Sequence, residues 1–455
     1  MYMRIKSFSF SIVLSLGALA FQANGQTTLS DLVQYSLRHS RDIKKSELQY
    51  QEAGYLRKET LGRGLPQASI SASYSKMFYD VVIPPSTFDM VNEKVPADYQ
   101  QKISGLLTQL DQVDGIGTGS ANLQITQLIY SQSFLVGLKT SKKAQELYSV
   151  LKEKSEEDVI AEVATGYYQA GSLMLQLQTL DKSLENLKEV YRISELSYKN
   201  DFIKESQVNR LKVTISNLEV TRQTVQNGIS IQLNYLKALA GMPEDSTLTI
   251  EPTALLNDFE NKSATTAFTV DNVPAYQALL KQNELYGLQE KLSKATFFPT
   301  LAAFGQFSYS HYNVSPVFKG HNDMNTIGLS LSMPIFTSGS NYSKIKQAQL
   351  KKAQLEEDIL KTKDLLTVSY NNAYLEFQTA QNMLAAQREN KALALKVYHQ
   401  TSLLYNEGMA SMADLLNVNS DFLQADNSLN QQILKCKTAE IKMLKASGSL
   451  KSLFK

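Results

Sequence analysis

Residues 131–241 contain no proline and carry helical periodicity almost throughout. Apolar side chains at Val163, Tyr167, Ala170, Met174, Leu177, Leu180, Leu184, Leu187 and Tyr191 recur every three or four positions. After a short break at 198–203 they resume at Val208, Leu211, Ile215, Leu218, Val225, Ile229, Leu233 and Leu236. Such spacing lays one apolar stripe along each of two helices. At 1.5 Å per residue the first is roughly 100 Å long, far beyond the ~10–14 residues of an ordinary helix. A globular core has no use for such a rod, so the chain must build something that needs a very long helical hairpin.

The hairpin occurs twice. Residues 338–450 are again proline-free, and all ten prolines lie outside the four long helical runs, as straight helices require. Tyr198 corresponds to Tyr405, and Val208, Leu211, Ile215 and Leu218 to Leu415, Val418, Phe422 and Ala425, at a constant offset of 207 positions. Each hairpin follows the same series of elements. A helix at 29–63 precedes a strand at 66–75, and a second strand carries Leu123, Ile125 and Ile129 on one face against Asn122, Gln124 and Thr126 on the other. In the second half a helix at 273–297 precedes strands at 299–309 and 325–336, the latter with Ile327, Leu329, Leu331, Met333 and Ile335 on one face. Residues 80–119 read as a long irregular loop with a short helix near 99–110, and 247–250 as a short β-like piece. The chain thus divides into a signal peptide (1–25), a first repeat (26–241), a connector (242–272), a second repeat (273–450) and a tail (451–455).

The strand signature is specific. In 66–75 the residues Ala68, Ile70, Ala72 and Tyr74 alternate with Ser69, Ser71, Ser73 and Ser75. Strands of about ten residues, apolar on one face and polar on the other, suit the wall of a transmembrane β-barrel. Four strands cannot close a wide barrel, since transmembrane barrels need at least ~8, and an open edge in lipid leaves backbone groups unpaired. Several copies must therefore share one barrel. The N-terminus fits export: Arg4 and Lys6 precede an apolar stretch at 8–21 and a small-x-small site at Ala23-Asn24-Gly25. No later apolar run is long enough for a membrane-spanning helix.

Composition removes other classes. The net charge is +2 with no block of like charges, which argues against nucleic-acid binding. Cys436 is the sole cysteine and falls on the apolar stripe of the last long helix, where a buried small residue is expected. The four histidines (His39, His311, His321, His399) show no metal-ligand spacing, and no phosphate loop, nucleophile elbow or Cys–His set occurs. No enzyme activity, cofactor or metal is expected. Polar groups on the apolar stripes, such as Arg222, read as register devices or lumen-facing groups.

The paired strand-entering segments (LPQASISASYS and FPTLAAFGQFSYS), strand-to-helix turns (QLIYSQS and MPIFTSGS) and hairpin turns (YKNDFIKESQV and YNEGMASMADLL) resemble those of the TolC-type outer membrane efflux protein family. The resemblance covers essentially the whole mature chain. It implies a mainly α protein with transmembrane β, in which a homotrimer forms a 12-stranded β-barrel continued by an α-helical barrel. It also implies a place in the outer membrane of a Gram-negative bacterium, with a large periplasmic portion. The function implied is an exit duct for a tripartite efflux or type I secretion system. Its partners would be a periplasmic adaptor (membrane fusion) protein, an inner-membrane RND or ABC transporter, and outer membrane lipid. A periplasmic coiled-coil protein without a pore would explain the hairpins but not the strands.

The same resemblance points to two sets of residues. In the family a tyrosine and a downstream aspartate pair ring the closed periplasmic mouth; the matching positions are Tyr405, Asp414 and Asn417. Asn417 replaces the second aspartate, and Ala410 stands where an arginine is expected, so a reduced gate is implied. Physically, Asp414 would place a ring of carboxylates around a narrow axis; as a lone residue it would suit the start of a helix. The hairpin tips, Phe202 and Ile203 in the first repeat and Gly408 and Met409 in the second, match the positions that meet the adaptor. Gly408 suits a left-handed turn, and Asp201 departs from the glycine expected in the first tip.

Overall fold

The computed structural model describes residues 27–78, 82–111, 116–252, 268–314 and 318–454. The expected signal peptide lies outside them. The described elements are helices α1 (Leu29–His39) and α2 (Arg41–Gly62), strand β1 (Gln67–Met77), helices α3 (Pro85–Lys94) and α4 (Ala97–Asp111), strand β2 (Ile116–Ser131), and the long helices α5 (Gln132–Lys199) and α6 (Glu205–Ala240). Then follow α7 (Pro274–Ala295), β3 (Thr300–Val314), β4 (Phe318–Ser332), and the second long pair, α8 (Ser340–Asn406) and α9 (Met412–Ala446). The repeats agree closely in size: α2 and α7 each have 22 residues, α5 and α8 have 68 and 67, and α6 and α9 have 36 and 35. No described helix is long and apolar enough to cross a membrane.

The chain forms two units, one of residues 42–156 and 268–370 and the other of 27–41, 157–252 and 371–454 among those described. In the first unit the strands make one antiparallel sheet in the order β1-β2-β3-β4, with β1 and β4 at its edges. Its register aligns like with like. On one face, rows run Ala68–Ile125–Gly305–Ile327, Ile70–Leu123–Phe307–Asn325 and Ala72–Ala121–Tyr309–Asp323. On the other they run Ser69–Gln124–Gln306–Thr326, Ser71–Asn122–Ser308–Met324 and Ser73–Ser120–Ser310–Asn322. The polar face is stitched across strands: Ser73 Oγ and Ser120 Oγ are 2.9 Å apart, Ser75 Oγ and Thr118 Oγ1 2.7 Å, and Ser308 Oγ donates to Asn122 Oδ1 at 2.6 Å. The apolar face has no such cover: Ile70, Leu329 and Ile327 are 79%, 70% and 92% exposed.

The helices of this unit are joined by ion pairs and one apolar cluster. Lys143 Nζ lies 2.8 Å from both Glu146 of its own helix and Glu284 of α7, and Lys152 of α5 pairs with Glu47 of α2. These exposed pairs set orientation more than stability. Val273, Tyr276, Leu355 and Ile359 bury a common surface between α7 and α8.

In the second unit the apolar stripes meet as their spacing requires. Leu180 packs with Val225 and Ile229, and Leu187 with Leu211 and Met412. Each such leucine contributes about 1.5–3 kcal/mol on burial. Cys436 is fully buried, and burial pushes its thiol up to about 11. The β-like 247–250 segment supplies a bridge from Ile250 to Thr27, and Tyr167 Oη donates to the Thr27 carbonyl at 3.1 Å.

Four expectations need correction. The 29–63 helix breaks at Ser40, which takes extended ψ (136°) and is buried. There the backbone passes so close to Gly241 that a Cβ on that glycine would stand 2.3 Å from the His39 carbonyl oxygen. The 80–119 stretch is largely helical rather than irregular, because Pro85 starts α3 at its N-terminus and Gln100 Nε2 ties α4 back to the Asn92 and Val95 carbonyls. The alternation of β2 is interrupted at Ile129, where the β2–β3 register shifts between Leu128 and Tyr130 and leaves one extra, bulged residue. Finally β4 ends at Ser332, so Met333 and Ile335 lie outside it; Pro334 cannot donate to a ladder.

One buried ionic contact links the last two helices. Lys391 Nζ of α8 lies 2.5 Å from Asp426 Oδ1 of α9, Asn430 Nδ2 donates to Asp426 Oδ2 at 3.2 Å, and the Asp426 side chain is 3% exposed. Lys391→Met should therefore lower stability by about 1–3 kcal/mol, less than for a fully buried pair because the lysine is partly solvated. The double variant Lys391→Met/Asp426→Leu should recover most of that loss. Thermal melts followed by circular dichroism in detergent check both; equal midpoints for single variant and wild type would show the pair to be dispensable.

Candidate channel mouth at the hairpin tips

Both hairpins close with the same turn. In the first, Asp201 N–H donates to the Tyr198 carbonyl at 2.9 Å and Phe202 N–H to that of Ser197 at 2.9 Å. In the second, Gly408 N–H donates to the Tyr405 carbonyl at 3.0 Å and Met409 N–H to that of Leu404 at 2.8 Å. This is the Schellman pattern, which needs a left-handed residue just past the helix end. Gly408 has φ +75° and Asp201 φ +60°. Asp201 therefore takes the conformation of the glycine it replaces; a short polar side chain tolerates that region better than most.

Phe202 and Met409 occupy equivalent places, one residue after the left-handed position. A Schellman turn usually folds an apolar residue there back onto its helix. Here Phe202 is 82% exposed and Met409 66%. Ile203 is half-buried. The start of the return helix differs between the two hairpins. Lys204 caps α6 without a side-chain bond, whereas Ser411 caps α9 through a full capping box with Asp414.

That box accounts for part of the Asp414 chemistry. Asp414 Oδ2 accepts from Ser411 Oγ at 2.6 Å and from Ser411 N–H at 3.0 Å, while Asp414 N–H donates to Ser411 Oγ at 3.2 Å. The Ser411 hydroxyl, and then its backbone N–H, hold the Asp414 carboxyl below the usual range. The side chain is exposed, as is Asn417 one turn on, whereas Met412, Leu415 and Asn419 point into the protein. Asp414 and Asn417 thus share the free face of α9. Tyr405 does not join them. Its hydroxyl shares a 3.1 Å hydrogen bond with Ser194 of α5, and its ring packs against the Leu187–Leu211–Met412 cluster.

Polar cross-links between helices, beyond what periodicity reveals, run up from this mouth. Ser183 Oγ donates to Asn419 Oδ1 at 2.9 Å, and Arg222 Nε donates to Asp181 Oδ1 at 2.5 Å, joining α6 to α5 as a register device. The only sequence signal for them is polar residues interrupting an apolar stripe.

Residues 272–449, which begin just before α7 and end just past α9, match the family model described as outer membrane efflux protein. The outer membrane protein TolC of Salmonella enteritidis is 20% identical over 68% of this chain, and the one of Escherichia coli K12 is 20% identical over a similar span. The chain spans about 65% of the length of these curated relatives. Among solved structures, the CmeC outer membrane channel of Campylobacter jejuni superposes with a TM-score of 0.70 at 16% identity, over 99% of this chain and 94% of that one. The open-state MtrE outer membrane channel of Neisseria gonorrhoeae gives 0.66 at 14% identity, over 93% and 89%. The chain resembles the outer membrane efflux proteins over residues 272–449. Its mainly helical body with a small antiparallel sheet is the fold of those channels.

Two outcomes test the tips and the mouth. Gly408→Ala should destabilise by roughly 1–2 kcal/mol and Asp201→Gly should stabilise by up to about 1 kcal/mol, because only glycine adopts this backbone without strain; paired thermal melts read both signs. For Asp414 the folded carboxyl titrates below its unfolded value, so its charge and its cap are present above about pH 4 and are lost as pH falls through the lowered folded value. Single-channel cation preference should hold from pH 7 down to about 4.5 and be lower in Asp414→Asn throughout that range. An Asp414→Asn channel with unchanged preference would leave Asp414 as a helix cap alone.

Proposed function

We propose that the chain is the outer membrane exit duct of a tripartite efflux or type I secretion system. In this reading residues 1–25 direct export and two repeats, 26–241 and 273–450, each supply two wall strands and one long hairpin. Three copies close a 12-stranded barrel. The observation that carries it is the sheet: one face apolar and exposed, the other lined with Ser, Thr, Asn and Gln, and both edges open. In lipid, open edges are untenable at several kcal/mol for each unpaired group, so the β1 edge of one copy must meet the β4 edge of the next. The polar face then lines a wet pore and the apolar face meets lipid. A pore-free periplasmic protein would have no reason to expose Ile70, Ile327 and Leu329 in aligned rows.

Three copies of α5, α6, α8 and α9 close a helical tube in the same symmetry. At its end Asp414 and Asn417 lie on the free face of α9, while Tyr405 braces the closed turn through Ser194. The mouth is therefore a single carboxylate ring with a neutral amide ring one turn on. Phe202, Ile203, Gly408 and Met409 form the docking tip for a periplasmic adaptor, which links the duct to an inner-membrane RND or ABC transporter. Phe202 and Met409, unused by their own turns, supply the apolar contact.

Purified protein in planar bilayers should give stepwise, cation-preferring conductance and should migrate as a heat-resistant trimer. Absence of conductance from well-folded trimers would favour a pore-free role. Phe202→Asp/Met409→Asp should keep conductance but lose adaptor binding and drug or cargo export by tenfold or more; retained export would place docking elsewhere.

A further inference from the structure

The apolar face of the sheet ends in a row of different chemistry. Next beyond Ala72–Ala121–Tyr309–Asp323 comes Tyr74–Gly119–His311–His321, followed by Lys76–Gly117–Asn313–Lys319. His311 and His321 are directly opposed on adjacent antiparallel strands, both exposed and on one face. Directly opposed residues carry their Cβ atoms about 4.5–5.5 Å apart. Two imidazoles rooted at that spacing can reach one ion bound at about 2.0–2.1 Å from each nitrogen. The neighbour of His311 on its other side is Gly119, over which the Tyr74 ring lies, and the His321 ring stacks on Tyr309 with centroids 6.2 Å apart.

We propose that His311 and His321 form a two-imidazole site for a divalent transition metal on the outward face of the β3–β4 hairpin. Among the described residues no three His, Cys, Asp or Glu side chains converge on a metal position, so the two rings are the donor set there and water completes the shell. Two charged groups bracket the site along β4: Asp323 favours a cation and Lys319 opposes it. Imidazole nitrogen selects copper, nickel and zinc over calcium and magnesium, and Cu²⁺ binds most tightly of the first-row divalent ions. The ion would clamp β3 to β4 at the hairpin's outer end. This site does not depend on the channel reading: it needs only the β3–β4 register.

The test uses untagged full-length protein in detergent, titrated with Cu²⁺ and read by electron paramagnetic resonance. The wild type should bind one tight equivalent per chain with splitting from two imidazole nitrogens. His311→Asn and His321→Asn should each lose one nitrogen and weaken binding at least tenfold, while the double variant keeps only weak binding. Both residues are exposed, so the variants should fold, and an unaltered circular-dichroism spectrum and thermal melt would verify it. If the double variant binds Cu²⁺ as tightly as the wild type, His39, His399 or other groups hold the ion and the proposal fails. It fails equally if the wild type shows a single nitrogen.

Discussion

Backbone pairing at the sheet edges governs the whole molecule. A four-stranded sheet with one apolar face is a stable idea only where something covers that face, and a stable idea in lipid only where nothing is left unpaired at its edges. Here β1 and β4 are edges and the apolar rows are bare. Lipid can cover the rows, but only another copy of the chain can satisfy both edges. In the proposed duct, oligomerisation is thus a condition for the strands to exist in a membrane, and the helices that follow would share its symmetry. α5 begins at the residue after β2 ends, so the register of the sheet sets the starting position of the helix that leads to the first tip.

The tips show how duplication preserves geometry while residues drift. Asp201 and Gly408 share a left-handed turn with matching hydrogen bonds, although one is the residue type best suited to it and the other merely tolerates it. What the second tip adds is a capping box at α9, and that box places Asp414 on the free face with its charge secured. Tyr405, by contrast, is spent on holding α8 to α5 through Ser194. The second tip therefore combines one structural brace with one solvent-facing carboxylate, rather than a network in which every member touches the next.

Much of this was legible in the sequence because it follows from period. The long helices α5, α6, α8 and α9 lie within the proline-free runs at 131–241 and 338–450, with α9 ending early at Ala446, and the serine alternation of β1 reads directly onto its polar face. What was not legible depends on contacts distant along the chain. Ser40 interrupts a continuous helical pattern because the backbone at Gly241 crowds it. The bulge at Ile129 is invisible to alternation, which has no means of counting an extra residue. The helix α3 sits in a proline-containing stretch that reads as loop, though Pro85 begins a helix rather than ending one. At the second tip only the Ser411 and Ser194 bonds separate the exposed Asp414 from the half-buried Tyr405.

Disulfide cross-linking between copies addresses the shared barrel most directly. Cysteines placed on the outward face of β1, at Ile70 or Ala72, can be combined with cysteines on the same face of β4, at Ile327 or Leu329, in membranes under mild oxidation. Buried Cys436, with its thiol pushed up to about 11, stays silent. The account predicts that at least one pairing yields a covalent ladder ending at the trimer, with each chain joined to two neighbours. If every pairing leaves only monomer while the protein is folded in the membrane, the edges do not meet and the shared barrel is wrong.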